Sequence, residues 1–448
     1  MAELTLIKTA AEQQIAAAWD AAKDRLPGSR ALRAAAFERF AGIGLPHRRI
    51  EEWKYTDLRA LMRDAKPLAN PPDAAAKARA QGSGKLLVDV DCRRLVFVDG
   101  AFVPEQSQLD ALEPGLTIQT MAAALAAGEE LVTAHLGQVV PAQDDVAVAL
   151  NTAFMGDGAV IRVAAGAALE RPLHLVFAAS GDKPASIFTR SLVVIEQGAR
   201  VMLVESHEGS GGDYQVNTAV EVKVGDGAHV DHVKITAESA TALHVSTLMA
   251  ALGARARFNA FTFTTGGAVV RNQLLVRFDG EETIAGIRGA TLIRGRQHVD
   301  TTLVAEHAAG GCQSRELFKS VLDEQSRSVF QGKIIVRPRA QKTDAKMATH
   351  ALLLSEAAEA DNKPELEIFA DDVQCGHGAT AGALDQNLLF YLKARGIPAK
   401  EAEALLIQAF LGEAVEGIEH AGLREALMDH VIAWLAARAA RTGRAERG

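Results

Sequence analysis

The chain has 448 residues, with 48 Lys plus Arg against 56 Asp plus Glu and a net charge of -8. This length exceeds what one ordinary core covers, so two or three structural units are expected, and the acidic balance argues against a general nucleic-acid or anionic-membrane binder. Three widely separated cysteines, Cys92, Cys312 and Cys375, fit a reducing compartment and not a disulfide framework.

The amino terminus shows no basic segment followed by an apolar one, and no stretch approaches a membrane span, so a cytoplasmic location is expected. Strong helix formers over 10–24 predict a first helix. Ser29 caps a second that stops near Gly42, with Leu32, Ala36, Phe37 and Phe40 as its apolar stripe. Around Trp53 and Tyr55 aromatics stand among charges, which reads as packing onto the following domain more than as a binding surface. Residues 66–84 lack periodicity and read as a linker. Within it, Gly82-Ser83-Gly84-Lys85 imitates a phosphate loop. Arg79 stands where the first glycine should be and Leu86 where Ser or Thr should bind magnesium, so no nucleotide hydrolysis is expected. Two β-rich runs over 94–103, joined at Asp99-Gly100, predict a hairpin, and a helix is expected over 120–135.

From Ala159 onward, short Val, Ile, Leu, Phe and Thr runs are punctuated by Gly-Ala pairs at Gly166, Gly198, Gly227 and Gly253. The spacings of 32, 29 and 26 residues (198 minus 166, 227 minus 198, 253 minus 227) are too short for a helical crossover between strands. Such a period suits stacked coils of a β-solenoid, with a sandwich as the alternative. His207, His229, His232, His244, His298, His307 and His350 are scattered along this region, and His229 and His232 fall on opposite faces of a strand. They are expected as surface or locally hydrogen-bonded residues and not as a metal site. Cys312, after Gly310-Gly311, reads as a turn residue without a neighbouring base. The basic run Lys333, Arg337, Arg339, Lys342 and Lys346 reads as a solvated face that is also able to meet an acidic partner.

The richest window is 362–380, Asn-Lys-Pro-Glu-Leu-Glu-Ile-Phe-Ala-Asp-Asp-Val-Gln-Cys-Gly-His-Gly-Ala-Thr. Leu366, Ile368 and Ala370 alternate with Glu365, Glu367 and Phe369 in the period of a half-buried strand opened by Pro364. If the extended form resumes after Asp371 and Asp372, then Val373, Cys375 and His377 share one face. Residues two apart on a strand are separated by roughly 6.6 to 7 Å, whereas metal ligands sit at about 2.1 to 2.3 Å from the ion. Cys375 and His377 therefore need to lean together and need further ligands, as at a site shared with a partner. The alternative is a buried Cys acting as a small apolar residue beside a hydrogen-bonded His, and residue types alone favour it.

After Thr380 the pattern turns helical. Asp385 caps a segment with the stripe Leu388, Leu389 and Leu392, ended by Gly396, and Pro398 stands near the start of a second with the stripe Leu405, Leu406, Ala409 and Phe410. Leu423, Leu427, Val431 and Leu435 mark a third. Helices here are able to cap the end of the solenoid, which is otherwise an open sheet edge. An Arg-rich tail over 441–448 is expected to be disordered.

The window 362–380, continued by Asp385-Gln386 and by Phe390-Tyr391-Leu392-Lys393-Ala394-Arg395-Gly396-Ile397, resembles the carboxy-terminal signature of the SufB/SufD family of iron-sulfur cluster assembly scaffolds. The Cys-x-His-Gly-Ala-Thr form is that of the SufD branch. Similar segments are 47–58 (His-Arg-Arg-Ile-Glu-Glu-Trp-Lys-Tyr-Thr-Asp-Leu), 329–335 and Gln341-Lys342-Thr343-Asp344-Ala345, so the resemblance spans most of the chain. It implies a right-handed parallel β-helix with helical flanks. The expected organisation is a helical region over 1–65, a linker over 66–84, a β-helix core over 85–380 with its preceding hairpin and helix, a helical region over 381–440 and a basic tail.

The resemblance also implies a non-catalytic scaffold subunit that pairs with a SufB-like subunit and a SufC-like ATPase. His377 then occupies the interface histidine position, and Cys375 is the neighbouring family cysteine. Between them a transient iron-sulfur cluster or iron is expected at the interface, with no cofactor on the isolated chain. Leu388, Leu389, Phe390, Tyr391, Arg395, Gly396, Leu405, Leu406 and Phe410 fall on the helices that in the family dock the ATPase. A homodimer of the isolated chain is a further expectation. Two other readings remain: a carbohydrate-active β-helix enzyme using Asp371 and Asp372, whose adjacency points them to opposite faces, and a structural adaptor without metal chemistry.

Overall fold

In the computed structural model, which describes residues 8–142, 144–181, 183–209 and 211–445, the β-branched runs form two facing sheets of ten and nine strands. From Leu173–Ala179 onward successive strands alternate between the sheets, and each pairs in parallel with the strand one coil away. This is the expected parallel solenoid. Thr189 stacks on Thr218, 29 residues on, Ser246 on Asn272, 26 on, and His350 on Thr380, 30 on.

The Gly-Ala repeat has a local cause. Gly166, Gly198 and Gly227 take positive φ of 70, 67 and 65° at one corner of each coil, a conformation that costs glycine least. In later coils Arg255, Glu282, Gly311 and Lys342 take over that position. Gly253, the fourth expected repeat glycine, therefore lies two residues ahead of the left-handed site. The residue after each left-handed one is small: Ala199, Ala228, Ala256, Thr283, Cys312 and Thr343 are buried, and Ala167, after the first, is half-buried. Cys312 is thus one rung of a ladder, its Sγ 3.3 Å from the Gly280 carbonyl.

Inner faces pack into one long core that includes Leu203, Val222, Leu252, Phe258, Ile287, Leu303, Ile334 and Met347. The amino-terminal end of this core is closed by antiparallel pairs. The hairpin of Arg93–Val98 and Ala101–Phe102 ends one sheet, with Asp99 and Gly100 at positive φ as expected, and Leu116–Thr120 pairs antiparallel with Ala159–Val163 at the end of the other. The helix expected over 120–135 is two, Met121–Ala127 and Glu130–His135, because Gly128 at φ 65° ends the first.

Helices Ala10–Ala22 and Arg30–Ile43 pack through Val146–Phe154 onto the outer face of the nine-stranded sheet. The expected stripe of the second helix holds for Ala36 and Phe40, but Leu32 is exposed and Arg33 is buried, donating to the carbonyls of Pro27 and Ala153. Trp53 is a packing residue: Arg271 lies 4.3 Å above its ring and reaches the Glu52 carbonyl and Asp300. Thr56 donates to the same Asp300 carboxylate. The stretch expected as a linker carries the helix Ala74–Arg79, capped by Asp73, and a bridge from Leu68 to Ser186.

The carboxy-terminal helices correct an expectation. Ala399–Val415 and Ala421–Ala445 do not cap the solenoid; they lie along the outer face of the ten-stranded sheet, over Val233, Phe261, Phe263, Leu292 and Val321. Leu423, Leu427, Val431 and Leu435 form the predicted stripe. In the helix before it the buried face is Ala402, Ile407, Leu411, Ala414 and Val415, and not the expected Leu405, Leu406, Ala409 and Phe410. Leu406, Ala409 and Phe410, three and four residues apart, fit helical spacing equally well, and only the sheet beneath decides which arc is covered. The last helix runs through Arg441 to Ala445, so the tail expected to be disordered begins as helix, and 446–448 lie outside the described residues.

Candidate functional site at the last coil

The strands Glu359–Ile368 and Gln374–Gly382 end the nine- and ten-stranded sheets. Each pairs on one side only, with Arg327–Val336 and Asp344–Leu353. Their outward N–H and C=O groups therefore need water or another chain. The first strand starts five residues before Pro364, which is tolerated inside it because the strand is an edge. That edge is guarded. Lys363 pairs with Glu51 and with Glu365 at 3.4 Å, and Lys333 holds Glu367 at 3.0 Å.

The second edge carries no charged residue: Gln374, Cys375, Gly376, His377, Gly378, Ala379, Thr380, Ala381 and Gly382. A Cβ at Gly376, Gly378 or Gly382 meets nothing within 4 Å. Packing within this chain does not require glycine at any of the three.

Between the edges the chain bends at Asp371 and Asp372, and Val373 stays outside the strand. Cys375 and His377 do share a face, the inner one, since they pair with the core residues Ala345 and Met347. No coil lies beyond them, so the thiol is half-buried against the core and the imidazole is exposed. Burial pushes the Cys375 thiol above its usual range. The His377 side chain makes no hydrogen bond among the described residues. Groups of three or more candidate ligands in the described residues lie elsewhere, so a metal at Cys375 and His377 needs ligands from another chain. Asp372 is paired with Lys342, and both aspartates are exposed.

Beside this end, Gln386–Ala394 buries no residue of its own and packs chiefly on the helix that follows. Leu388, Phe390, Tyr391 and Leu405 are exposed, Phe390 at 72%. Leu389, Leu406 and Phe410 are half-buried, and the Lys319 ammonium sits 4.4 Å from the Phe410 ring. Arg395 stacks on Tyr391 at 3.6 Å, and Gly396, at φ 87°, ends the helix. The basic run contributes Lys333, Arg337 and Lys342 to ion pairs with acids of neighbouring coils, while Arg339 and Lys346 are exposed.

A family model for the core domain of SufBD proteins of the SUF iron-sulfur cluster assembly system matches residues 177–410, and one for the SufBD amino-terminal region matches 20–175. The chain belongs to the SufBD family. It is 33% identical over 407 residues to an iron-sulfur cluster assembly SufBD family protein of Synechocystis sp., covering 88% of each chain. It is also 31% identical over 395 residues to the iron-sulfur cluster assembly protein SufD of Escherichia coli, covering 87% of this chain and 89% of that one. SufD of Bacillus subtilis is 26% identical over 408 residues.

The SufBD core segment also holds functional candidates that the sequence reading missed. His207, His232, His244 and His307 are buried and not at the surface; His232, His244 and His307 are locally hydrogen-bonded, as one alternative expected, whereas His207 has no hydrogen-bond partner on either ring nitrogen among the described residues. Glu205, Lys234, Glu238 and Tyr214 are buried around the first three. The signal lay in register: Glu205 and Lys234 stand between Leu175 and Thr262 on one inward row. Aligning the coils would have shown charges in core positions. Among the described residues no helix is long and apolar enough to cross a membrane.

Proposed function

We propose that this SufBD family member is a SufD-type, non-catalytic scaffold subunit working in the cytoplasm. Its last coil pairs with a SufB-like subunit, and Cys375 and His377 face the nascent iron-sulfur cluster, or its iron, as cargo. The observation that carries the reading is the edge strand Gln374–Gly382: uncharged, open, and built with glycines that its own chain does not need. An edge free of charges and bulk is the surface that strand addition uses. Two ligands on its inner face leave an ion incomplete until a partner adds more. No cofactor is assigned to this last coil in the isolated chain, and the same edge is open to a second copy when no partner is present. The exposed arc of Leu388, Phe390, Tyr391 and Leu405 offers the apolar face on which a SufC-like ATPase docks.

The test is reconstitution of His377→Ala with SufB-like and SufC-like partners. The expected result is normal complex yield and a melting temperature within about 2 °C of wild type, because an exposed side chain contributes at most about 0.5 kcal/mol, together with loss of cluster absorbance. Normal cluster loading removes His377 from the mechanism. Failure of the wild-type chain to join either partner overturns the scaffold reading itself.

A further inference from the structure

Inside the solenoid, two stacked coils carry charged and imidazole side chains on the inward rows that Leu175 and Phe177 begin. Glu205 and His207 come from Arg200–Gly209, His232 and Lys234 from His229–Ala237, and His244 from Leu243–Leu252. Glu238 stands at the corner just past Ala237. Most of these groups satisfy one another. His232 Nε2 and Glu205 Oε1 are 2.5 Å apart, Lys234 Nζ donates to Thr236 Oγ1 at 2.7 Å and to Asn272 Oδ1 at 3.1 Å, and Tyr214 donates to Glu238. Lys234 also lies 3.1 Å from His244 Nε2, which leaves Nδ1 as the nitrogen facing Glu238 Oε1 at 3.1 Å.

His207 is the exception. It is fully buried, yet among the described residues neither ring nitrogen has a hydrogen-bond partner; its nearest charged group, Glu205 Oε2, lies 3.7 Å from Nε2, an ion-pair contact too long for a hydrogen bond. The ring is held in place, stacked on Phe177 at 4.8 Å and edge-on to His244. A fixed, buried imidazole without a hydrogen-bond partner is an unmet cost of about 1 to 3 kcal/mol unless something binds there. One ligand atom each from His207, Glu238 and His244 lies within 4.8 Å of the other two.

We propose that His207, Glu238 and His244 form a binding site for a divalent first-row transition ion, of the zinc or ferrous class, inside the β-solenoid. Two imidazoles and one carboxylate are a donor set such ions take, and three protein ligands leave a fourth position for water or for Glu205. An anion is disfavoured because two carboxylates face the same space. Calcium and magnesium are disfavoured because two of the three donors are nitrogens. On loading, the proton that His244 Nδ1 shares with Glu238 is released to solvent. The site is separate from Cys375 and His377, which lie several coils away on Gln374–Gly382.

The experiment uses the full chain, stripped with chelator and titrated with Co²⁺ and then Zn²⁺. The expected result is about one equivalent per chain, ligand-field bands of a low-coordinate nitrogen and oxygen site without thiolate charge transfer, and a higher melting temperature on loading. His207→Asn and Glu238→Gln should each weaken binding by about tenfold or more, whereas a Cys375→Ala, His377→Ala double variant should keep the equivalent. X-ray absorption on the loaded wild type, showing nitrogen and oxygen neighbours only, keeps the test decisive should the interior variants not fold. The proposal is overturned if wild type takes up no equivalent at micromolar Co²⁺, if His207→Asn and Glu238→Gln bind as wild type does, or if the bound ion has sulfur neighbours or is lost with Cys375 and His377.

Discussion

The two ends of the solenoid meet the same physical problem, a pair of sheet edges, in opposite ways. At the amino-terminal end Ala101–Phe102 and Leu116–Thr120 fold back antiparallel on their sheets, and Phe97 stacks on Phe177 at 5.0 Å beneath the hairpin. At the carboxy-terminal end nothing folds back. One edge is protected by charge and by Pro364, and the other is left uncharged and small. The helices that could have covered it lie instead along the side of the ten-stranded sheet. The contrast teaches that the open edge is not a shortage of chain, since ample helix follows it. The sequence keeps this end available.

The largest expected effect comes from removing the cover that the helices provide. Truncation after Gly382 strips Phe261, Phe263, Leu292 and Val321 of their partners. Each large side chain exposed in this way forfeits about 1.5 to 3 kcal/mol, so the truncated chain should aggregate or lose cooperative melting. A soluble fragment with wild-type melting would show that the sheet face stands alone. Next in size, Phe97→Ala at the closed end should lower stability by about 3 to 5 kcal/mol in denaturant unfolding, with partner pairing at the far end unaffected in whatever protein remains folded.

Acid should act on the closed body and not on the open end. Burial holds His174 at about 3 and His307 at about 4, below the ordinary 6.5. Below pH 6.5 the unfolded chain takes up these protons and the folded chain does not. Their contribution is thus complete above 6.5 and is lost as pH falls toward 4, at roughly 1.4 kcal/mol per pH unit for each histidine. Melting temperature against pH in wild type and His307→Gln measures this, and the variant should show a shallower acid slope. The smallest effect on stability, below about 0.5 kcal/mol, is expected for Ala379→Lys on the open edge. A lysine there should nevertheless abolish strand addition by a partner, read by size-exclusion chromatography of the mixture. Unimpaired complex formation would move the interface away from Gln374–Gly382.

Much was legible where a feature depends on neighbours within a few residues. Ser29 and Asp385 accept the cap hydrogen bonds that their positions predict, Asp99-Gly100 makes the hairpin turn, and the Gly-Ala corners set the coil period. The alternation of Cys375 and His377 onto one face follows from strand geometry once the strand exists. By contrast, His207 and His229 look alike in sequence, yet the first is buried inside the solenoid and the second lies toward its outer side beside Glu419. Leu405 and Ile407 are equally apolar, yet one meets solvent and the other Phe261's sheet.

The sequence by itself therefore determined the solenoid's period, its caps and corners, and the family motif, because each is written in spacings of two, four or about thirty residues. Only the tertiary structure decided which strands end the sheets, which arc of each terminal helix is covered, and that an unpartnered histidine lies beside Glu238 and His244. Those outcomes depend on stacking residues a full coil apart and on laying helices across several coils at once. Burial and hydrogen-bond satisfaction are set there by neighbours that no local spacing names.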